Sequence, residues 1–209
     1  MPKTFYIADT HFQHANILRF DQRTFNDLEE MHEVLIDNWN RVVSNEDWVY
    51  ILGDFCWGKE PDWKELLKKL SGHKVLIRGN HDLKEMSSPL RNMFQDVRDY
   101  KEIKDNGRRV ILCHYPILFY RSAYNPNVYH LCGHVHTTRE NDFLEKWRQE
   151  LWSTKKNNGD SCGNIYNVGC MMPYMGYMPR TLDEILASHG KLSTEDAKNA
   201  ERTENRLEQ

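Results

Sequence analysis

Nine polar residues fall in five short blocks: Asp9 and His11 in ADTH, Asp54 in LGD, Asn80, His81 and Asp82 in RGNHD, His114 in CHYP, and His134 and His136 in GHVH. Seven of the nine are metal-ligand types: the carboxylates Asp9 and Asp54, the amide of Asn80, and the imidazoles His11, His114, His134 and His136. Residues two apart on an extended segment project to the same side, so Asp9 with His11 could hold one ion together, and His134 with His136 repeat that geometry. An aspartate such as Asp54 can bridge two cations. The mixed nitrogen and oxygen set suits Mn²⁺, Fe or Zn²⁺, whereas Mg²⁺ prefers more oxygen. Two such ions roughly 3.5–4 Å apart can bind a phosphate, lower the pKa of a shared water and stabilise both ends of an in-line displacement.

Something must bring these blocks together. Each follows a short apolar run, in TFYIADTH, DWVYILGD, KVLIRGNHD, RVILCHYP and VYHLCGHVH, and NIYNVG is a sixth run of the same kind. Their length and their Val, Ile and Tyr content read as buried strands. Between the first two, Leu28, Met31, Leu35, Trp39 and Val42 recur at helical spacing. A second helix fits EPDWKELLKKL, with Pro61 in its first turn and Gly72 beyond its end. A third fits Asn141 to Trp152, and the polar loop STKKNNGDSCGN after it breaks the strand rhythm. Thr181 and Glu184 form a capping box for a last helix that Gly190 would end. Early strand–helix alternation followed by consecutive strands predicts a mixed-sheet α/β sandwich rather than a doubly wound parallel sheet. The expected organisation is one domain over residues 1–190, with an insertion at 139–162, and a polar tail over 191–209.

Composition excludes several classes. A 209-residue chain with 39% hydrophobic residues and six tryptophans is not a disordered polymer. The formal charge of −3 gives no global basic field that would favour nucleic acid. The five cysteines show no CxxC spacing, so neither a disulfide framework nor a structural zinc cluster is expected. No stretch approaches 18 uninterrupted apolar residues, and MPKTFYIADTHF lacks a signal-peptide apolar region. The expectation is a cytoplasmic protein without membrane contact.

The ordered set DTH, GD, GNHD, His114 and GHVH resembles the calcineurin-like metallophosphoesterase superfamily, and HFQHANILRF with EEMHEVLIDNWNRVV is similar to a small bacterial and phage branch of it. The resemblance implies a four-layer αββα sandwich, of α/β (α+β) class, in which two mixed sheets are flanked by helices and a dimetal site lies at the strand ends. It assigns Asp9, His11, Asp54 and His136 to one ion, and Asp54, Asn80, His114 and His134 to the other. It also makes His81 the catalytic histidine, with Asp82 the acidic residue beside it. The implied cofactors are two divalent ions, with Mn²⁺ favoured over Fe, Zn²⁺ or Ni²⁺. One departure stands out. Phosphoprotein phosphatases of the superfamily continue from GD into Asp-Arg-Gly, where this chain reads FCWGK. That removes the acidic partner of the catalytic histidine and leaves open what orients His81.

The implied activity is hydrolysis of a small or nucleotide-like phosphoester, by a phosphatase or a phosphodiesterase, through attack of a metal-bridging hydroxide. The alternatives are a metal-dependent nuclease acting on DNA or RNA, which charge and length disfavour, and a non-catalytic binding scaffold, which the intact ligand set disfavours. His14 and Arg139, three residues after His11 and His136, are candidate substrate contacts, with surface roles equally open. Arg19, Phe20 and Arg23 either wall the cleft or pack before the first helix. His32, His73, His130 and His189 are expected to be structural, the tryptophans at helical spacing to be core, and Tyr174 or Tyr177 to be packed or to stack on a base.

Overall fold

The computed structural model describes residues 1–153 and 162–189. The chain runs β1 (Thr4–Ile7), α1 (Ile17–Phe20), α2 (Leu28–Val42), β2 (Trp48–Ile51), α3 (Glu60–Lys69), β3 (His73–Ile77), α4 (Ser88–Arg91), β4 (Asp96–Arg98), β5 (Tyr100–Asp105), β6 (Arg108–Cys113), β7 (Val128–Cys132), α5 (Arg139–Ser153), β8 (Ile165–Asn167), β9 (Arg180–Thr181) and α6 (Leu182–Ser188). One sheet has the order β4-β3-β2-β1-β9, parallel except for β9. The other has the order β5-β6-β7-β8, with β5 antiparallel and the rest parallel.

Side-chain alternation along the strands builds the layers. Phe5, Ile7, Val49 and Ile51 enter a core shared with Met31, Leu35 and Trp39 of α2 and Trp63, Leu66 and Leu67 of α3. Their neighbours Tyr6, Ala8, Tyr50 and Leu52 face the opposite way, onto Val110, Leu112, Leu131 and Tyr166 of the second sheet. Both faces of the first sheet are therefore buried, which is why its strands read as continuous apolar runs. The outer face of the second sheet, with Ile111, Cys132 and Ile165, packs on Leu144 of α5. This is the expected αββα sandwich. Trp39 and Trp63 are fully buried, and truncating either to alanine costs about 3–5 kcal/mol.

Side-chain caps open both α2 and α6, the second as read from the sequence. Asp27 caps α2 by accepting from the Glu30 amide at 2.9 Å. At α6, the Thr181 amide donates to Glu184 at 2.8 Å while the Thr181 hydroxyl accepts from the Glu184 amide at 3.3 Å. Within the segment 139–162, Arg139–Ser153 form α5, whose Leu144 packs on the outer face of the second sheet. Residues 154–161 of that segment, Gly190 and the 191–209 tail lie outside the described residues. No helix among the described residues is long and apolar enough to cross a membrane.

Candidate metal centre

The nine blocked residues leave the C-terminal ends of β1, β2, β3, β6 and β7, so they meet where the parallel strands of both sheets open to one edge. The way they converge differs from the expected strand alternation. Asp9, His11, Asp54, His134 and His136 all have left-handed backbone, with φ of 54°, 50°, 50°, 70° and 46°. Non-glycine residues rarely adopt this region, and each costs of order 1–3 kcal/mol unless the surroundings enforce it. Here the two β-strand exits enforce each other. The Asp9 amide donates to the Gly53 carbonyl at 3.0 Å, the His11 amide to that of Asp54 at 2.9 Å, and the Phe12 amide to that of Phe55 at 2.9 Å. Two glycines of the motifs are required by close approach: a Cβ at Gly79 would collide with the Asp54 carboxylate and amide, and one at Gly133 with the Asp9 carboxylate.

Two donor clusters result, Asp9, His11, Asp54 and His136 in one and Asp54, His114 and His134 in the other, each with ligand atoms within 4.8 Å of one another. Asp54 Oδ2 is shared, 3.7 Å from His11 Nε2 and 3.6 Å from His114 Nε2. Its other oxygen accepts the His81 amide at 3.0 Å, which fixes the carboxylate plane. Asn80 Oδ1 lies 3.1 Å from His114 Nε2, so the amide joins the second cluster. His11 Nε2 and His136 Nε2 are 3.3 Å apart. Two ligand atoms each about 2.1 Å from a common ion, at tetrahedral or octahedral angles, stand roughly 3.0–3.4 Å apart. The donor set thus fits divalent ions in chemistry and in spacing.

Electrostatics agree with that fit. Burial pushes the His11 imidazole far below its ordinary pKa, and the neighbouring His136 adds to the effect. Burial, then His114, lowers His134. Both rings are therefore held neutral, as ligation requires. Burial raises the Asp9 carboxyl, against the opposing influence of His136 and His114. A carboxylate enclosed at 0% exposure is a group for which a cation is the natural partner.

Around the donors lies a shell that orients them. His114 Nδ1 donates to the Leu52 carbonyl at 2.8 Å, which turns Nε2 toward Asp54. His136 Nδ1 donates to Asp21 at 2.6 Å, and this bond raises its pKa despite burial, which acts to lower it. Asp82 is buried, and burial raises its pKa to about 6. Its oxygens accept the amides of Asp54 at 3.0 Å, Gly79 at 2.8 Å and Phe55 at 2.8 Å. It clips together the turns carrying Asp54 and Asn80 and does not reach into the cleft.

The remaining candidates separate cleanly. His81 is exposed at the cleft, with its ring 4.4 Å from Trp57 and 5.8 Å from His11. His14 stacks on Trp57 at 4.1 Å and places Nδ1 3.4 Å from His11 Nδ1, so it adjoins the centre through a ligand. Arg139 lies in the wall of an open groove of about 440 Å³ with Pro116, Leu118, Val135 and Phe143. Tyr174 gives its hydroxyl to the Asn167 carbonyl, and Tyr177 packs on Phe25 and Arg23, so both belong to the packing. His130 is a satisfied core residue, as expected. Two residues went unrecognised as parts of the site, Trp57 and Asp21. Trp57 is 48% exposed, unlike the core tryptophans, and its position where the Asp-Arg-Gly pattern fails was the one available signal. Asp21 gave none beyond lying in the loop before α2, while Arg23, named as a cleft wall or as packing before the helix, is buried and donates to the Asp9 and Thr10 carbonyls.

Two mixed sheets between helices, with two histidine and aspartate clusters at the strand ends that have Asp54 in common, are the arrangement of a metallophosphoesterase-type domain. A profile for calcineurin-like phosphoesterases matches residues 2–165, and the chain belongs to that family. It is 37% identical over 153 residues to an uncharacterized protein of Methanocaldococcus jannaschii, covering 72% of this chain and 80% of that one. It is 34% identical over 85 residues to the gene 66 protein of Mycobacterium phage L5, covering 39% and 41% of the two chains. The solved structure of a protein of unknown function from Aquifex aeolicus is similar with a TM-score of 0.57 at 27% identity, covering 88% of this chain and 98% of that one.

Proposed function

We propose that the protein is a dimetal phosphoesterase that hydrolyses a small or nucleotide-like phosphoester and works best with Mn²⁺. The observation that carries this reading is the shared oxygen of Asp54, within 3.7 Å of donors from both clusters while its partner oxygen is fixed by the His81 amide. Asp9, His11, Asp54 and His136 would hold one ion, and Asp54, Asn80, His114 and His134 the other. Bound there, the ions supply Lewis-acid charge to the phosphate oxygens and lower the pKa of a shared water.

The chain's own part is orientation and proton supply. His81 follows ligand Asn80 directly, faces the cleft, and is free of ligand duty in this assignment. Its imidazole is placed to give a proton to the leaving oxygen, which departs badly as an alkoxide. With both Asp82 oxygens committed to backbone amides, Trp57 takes over the orienting of His81, through ring packing instead of a carboxylate bond. The cysteines form no disulfides, which supports a reducing, cytoplasmic setting as part of the same reading.

A panel of phosphomonoesters, cyclic nucleotides, dinucleotides and single-stranded DNA, assayed with and without Mn²⁺, tests it. The proposal expects metal-dependent turnover of small esters that chelator abolishes. Preferred cleavage of DNA would establish the nuclease alternative, and no turnover of any ester with metal bound would establish the scaffold.

A further inference from the structure

The loop between β1 and α2 folds back over the metal centre and contributes a buried ion pair. Asp21 Oδ1 accepts from His136 Nδ1 at 2.6 Å, and Asp21 Oδ2 accepts from Arg23 Nε at 3.0 Å and Nη2 at 2.8 Å. Arg23 then donates from Nη2 to the Asp9 carbonyl at 2.7 Å and from Nη1 to the Thr10 carbonyl at 3.0 Å. The two side chains are 4% and 0% exposed. One ion pair therefore grips two donors of the same cluster: His136 through its ring and Asp9 through the backbone of its left-handed turn. Among the described residues the second cluster has no such buried ion pair: Asp82 holds the turns of Asp54 and Asn80 through backbone amides alone and touches no ligand side chain of that cluster. His114 leans on a backbone carbonyl. Among the described residues the His134 ring makes no hydrogen bond; it is exposed and packs edge-on against Tyr115 at 4.7 Å.

We infer that Asp21 and Arg23 are positioning residues that make the two ion positions unequal, so that the Asp9, His11, Asp54 and His136 position fills first and tightly while the other fills second and exchanges. The inference rests on the dimetal reading and adds to it. Three effects act in one direction. The Asp21 bond selects the tautomer that leaves the His136 Nε2 lone pair toward the cluster and makes that nitrogen a stronger donor. Arg23 holds the Asp9 turn in its unfavourable conformation before any ion arrives, so the ordering cost falls on folding and not on binding. Because Asp21 and Arg23 neutralise each other, the pair adds no net charge that would repel a cation. Lost outer partners of metal ligands typically cost 10–100-fold in affinity.

The test is a Mn²⁺ titration of the metal-free full chain, followed by calorimetry and by electron paramagnetic resonance. Wild type is expected to bind two ions in steps at least about 10-fold apart, with the signal of a spin-coupled pair growing only beyond one equivalent. Asp21→Asn, which keeps shape, and Arg23→Lys, which keeps charge, are each expected to weaken the first step by roughly 10–100-fold, so that the two steps merge. Equal steps in wild type, or a coupled signal already present in proportion below one equivalent, would overturn the inference without needing any variant. A first-step affinity unchanged in both folded variants would overturn it too, and would leave the pair a structural clip for the loop. Saturation of wild type at a single ion would bring down the dimetal reading itself.

Discussion

Replacing His81 by asparagine separates proton donation from everything else at the centre. The His81 amide holds Asp54 Oδ1 at 3.0 Å, and that bond belongs to the backbone, so the substitution leaves the shared carboxylate in place. The ring contacts Trp57 and His11 and makes none of the short donor contacts that build either cluster. Both ions should therefore bind as in wild type. A positioned general acid contributes typically about 10²–10⁴-fold, equal to about 3–5 kcal/mol of barrier. That contribution is made only where the leaving oxygen needs a proton. Turnover of an alkyl or nucleoside phosphoester should fall by about 10²–10⁴-fold, whereas a nitrophenyl ester, whose phenolate leaves unaided, should lose about 10-fold or less. Steady-state kcat on the paired substrates at saturating Mn²⁺, with bound metal verified, is the assay. Equal losses on both esters would refute proton donation and leave His81 a phosphate-positioning group, and unchanged rates would remove it from the mechanism.

Two further outcomes follow from the packing around the centre. Trp57→Ala removes the ring neighbour of both His81 and His14, and should lower alkyl-ester turnover about 10-fold, less than the roughly 10²-fold that an ångström of misplacement costs; Trp57→Phe should recover most of it, and equal rates for all three proteins would exclude the positioning role. His130 is held neutral by burial, its pKa lowered to about 4, with Nδ1 donating to the Ile111 carbonyl at 3.1 Å and Nε2 accepting from the Ile117 amide at 3.0 Å. The unfolded chain takes up the proton near pH 6.5, so this residue's contribution is present in full above that pH and falls away by about 3 kcal/mol as the pH drops toward 4; urea titrations of wild type and His130→Gln across that window should show a shallower pH slope in the variant, and parallel slopes would contradict the assignment.

The six strands first read from the sequence were legible because both faces of the first sheet and most of the second are covered, which leaves unbroken apolar runs that end abruptly at the donor blocks. Of the four edge strands only β8, buried at all three positions, was among them. β4 is the three residues DVR, β5 reads YKEIKD with four charges, and β9 is two residues long; edges with one uncovered side carry charge and lose the apolar signature. Donor identities were legible because each block pairs a ligand type with its own strand end. The backbone that aims them was not: left-handed Asp9 and His11 are dictated by hydrogen bonds to Gly53 and Asp54, more than forty positions away. For the same reason the Asp21 partnership with His136, across 115 positions, has no local trace, and neither does the grip of Arg23 on the Asp9 turn.

The central claim is that Asp54 lies between two ions. Anomalous scattering at the manganese edge, from crystals of the full chain grown with Mn²⁺, tests it most directly. The account predicts two peaks roughly 3.5–4 Å apart, one beside His11 and His136 and one beside His114 and His134, with an Asp54 oxygen between them. A single peak, or two peaks that do not share Asp54, would contradict it.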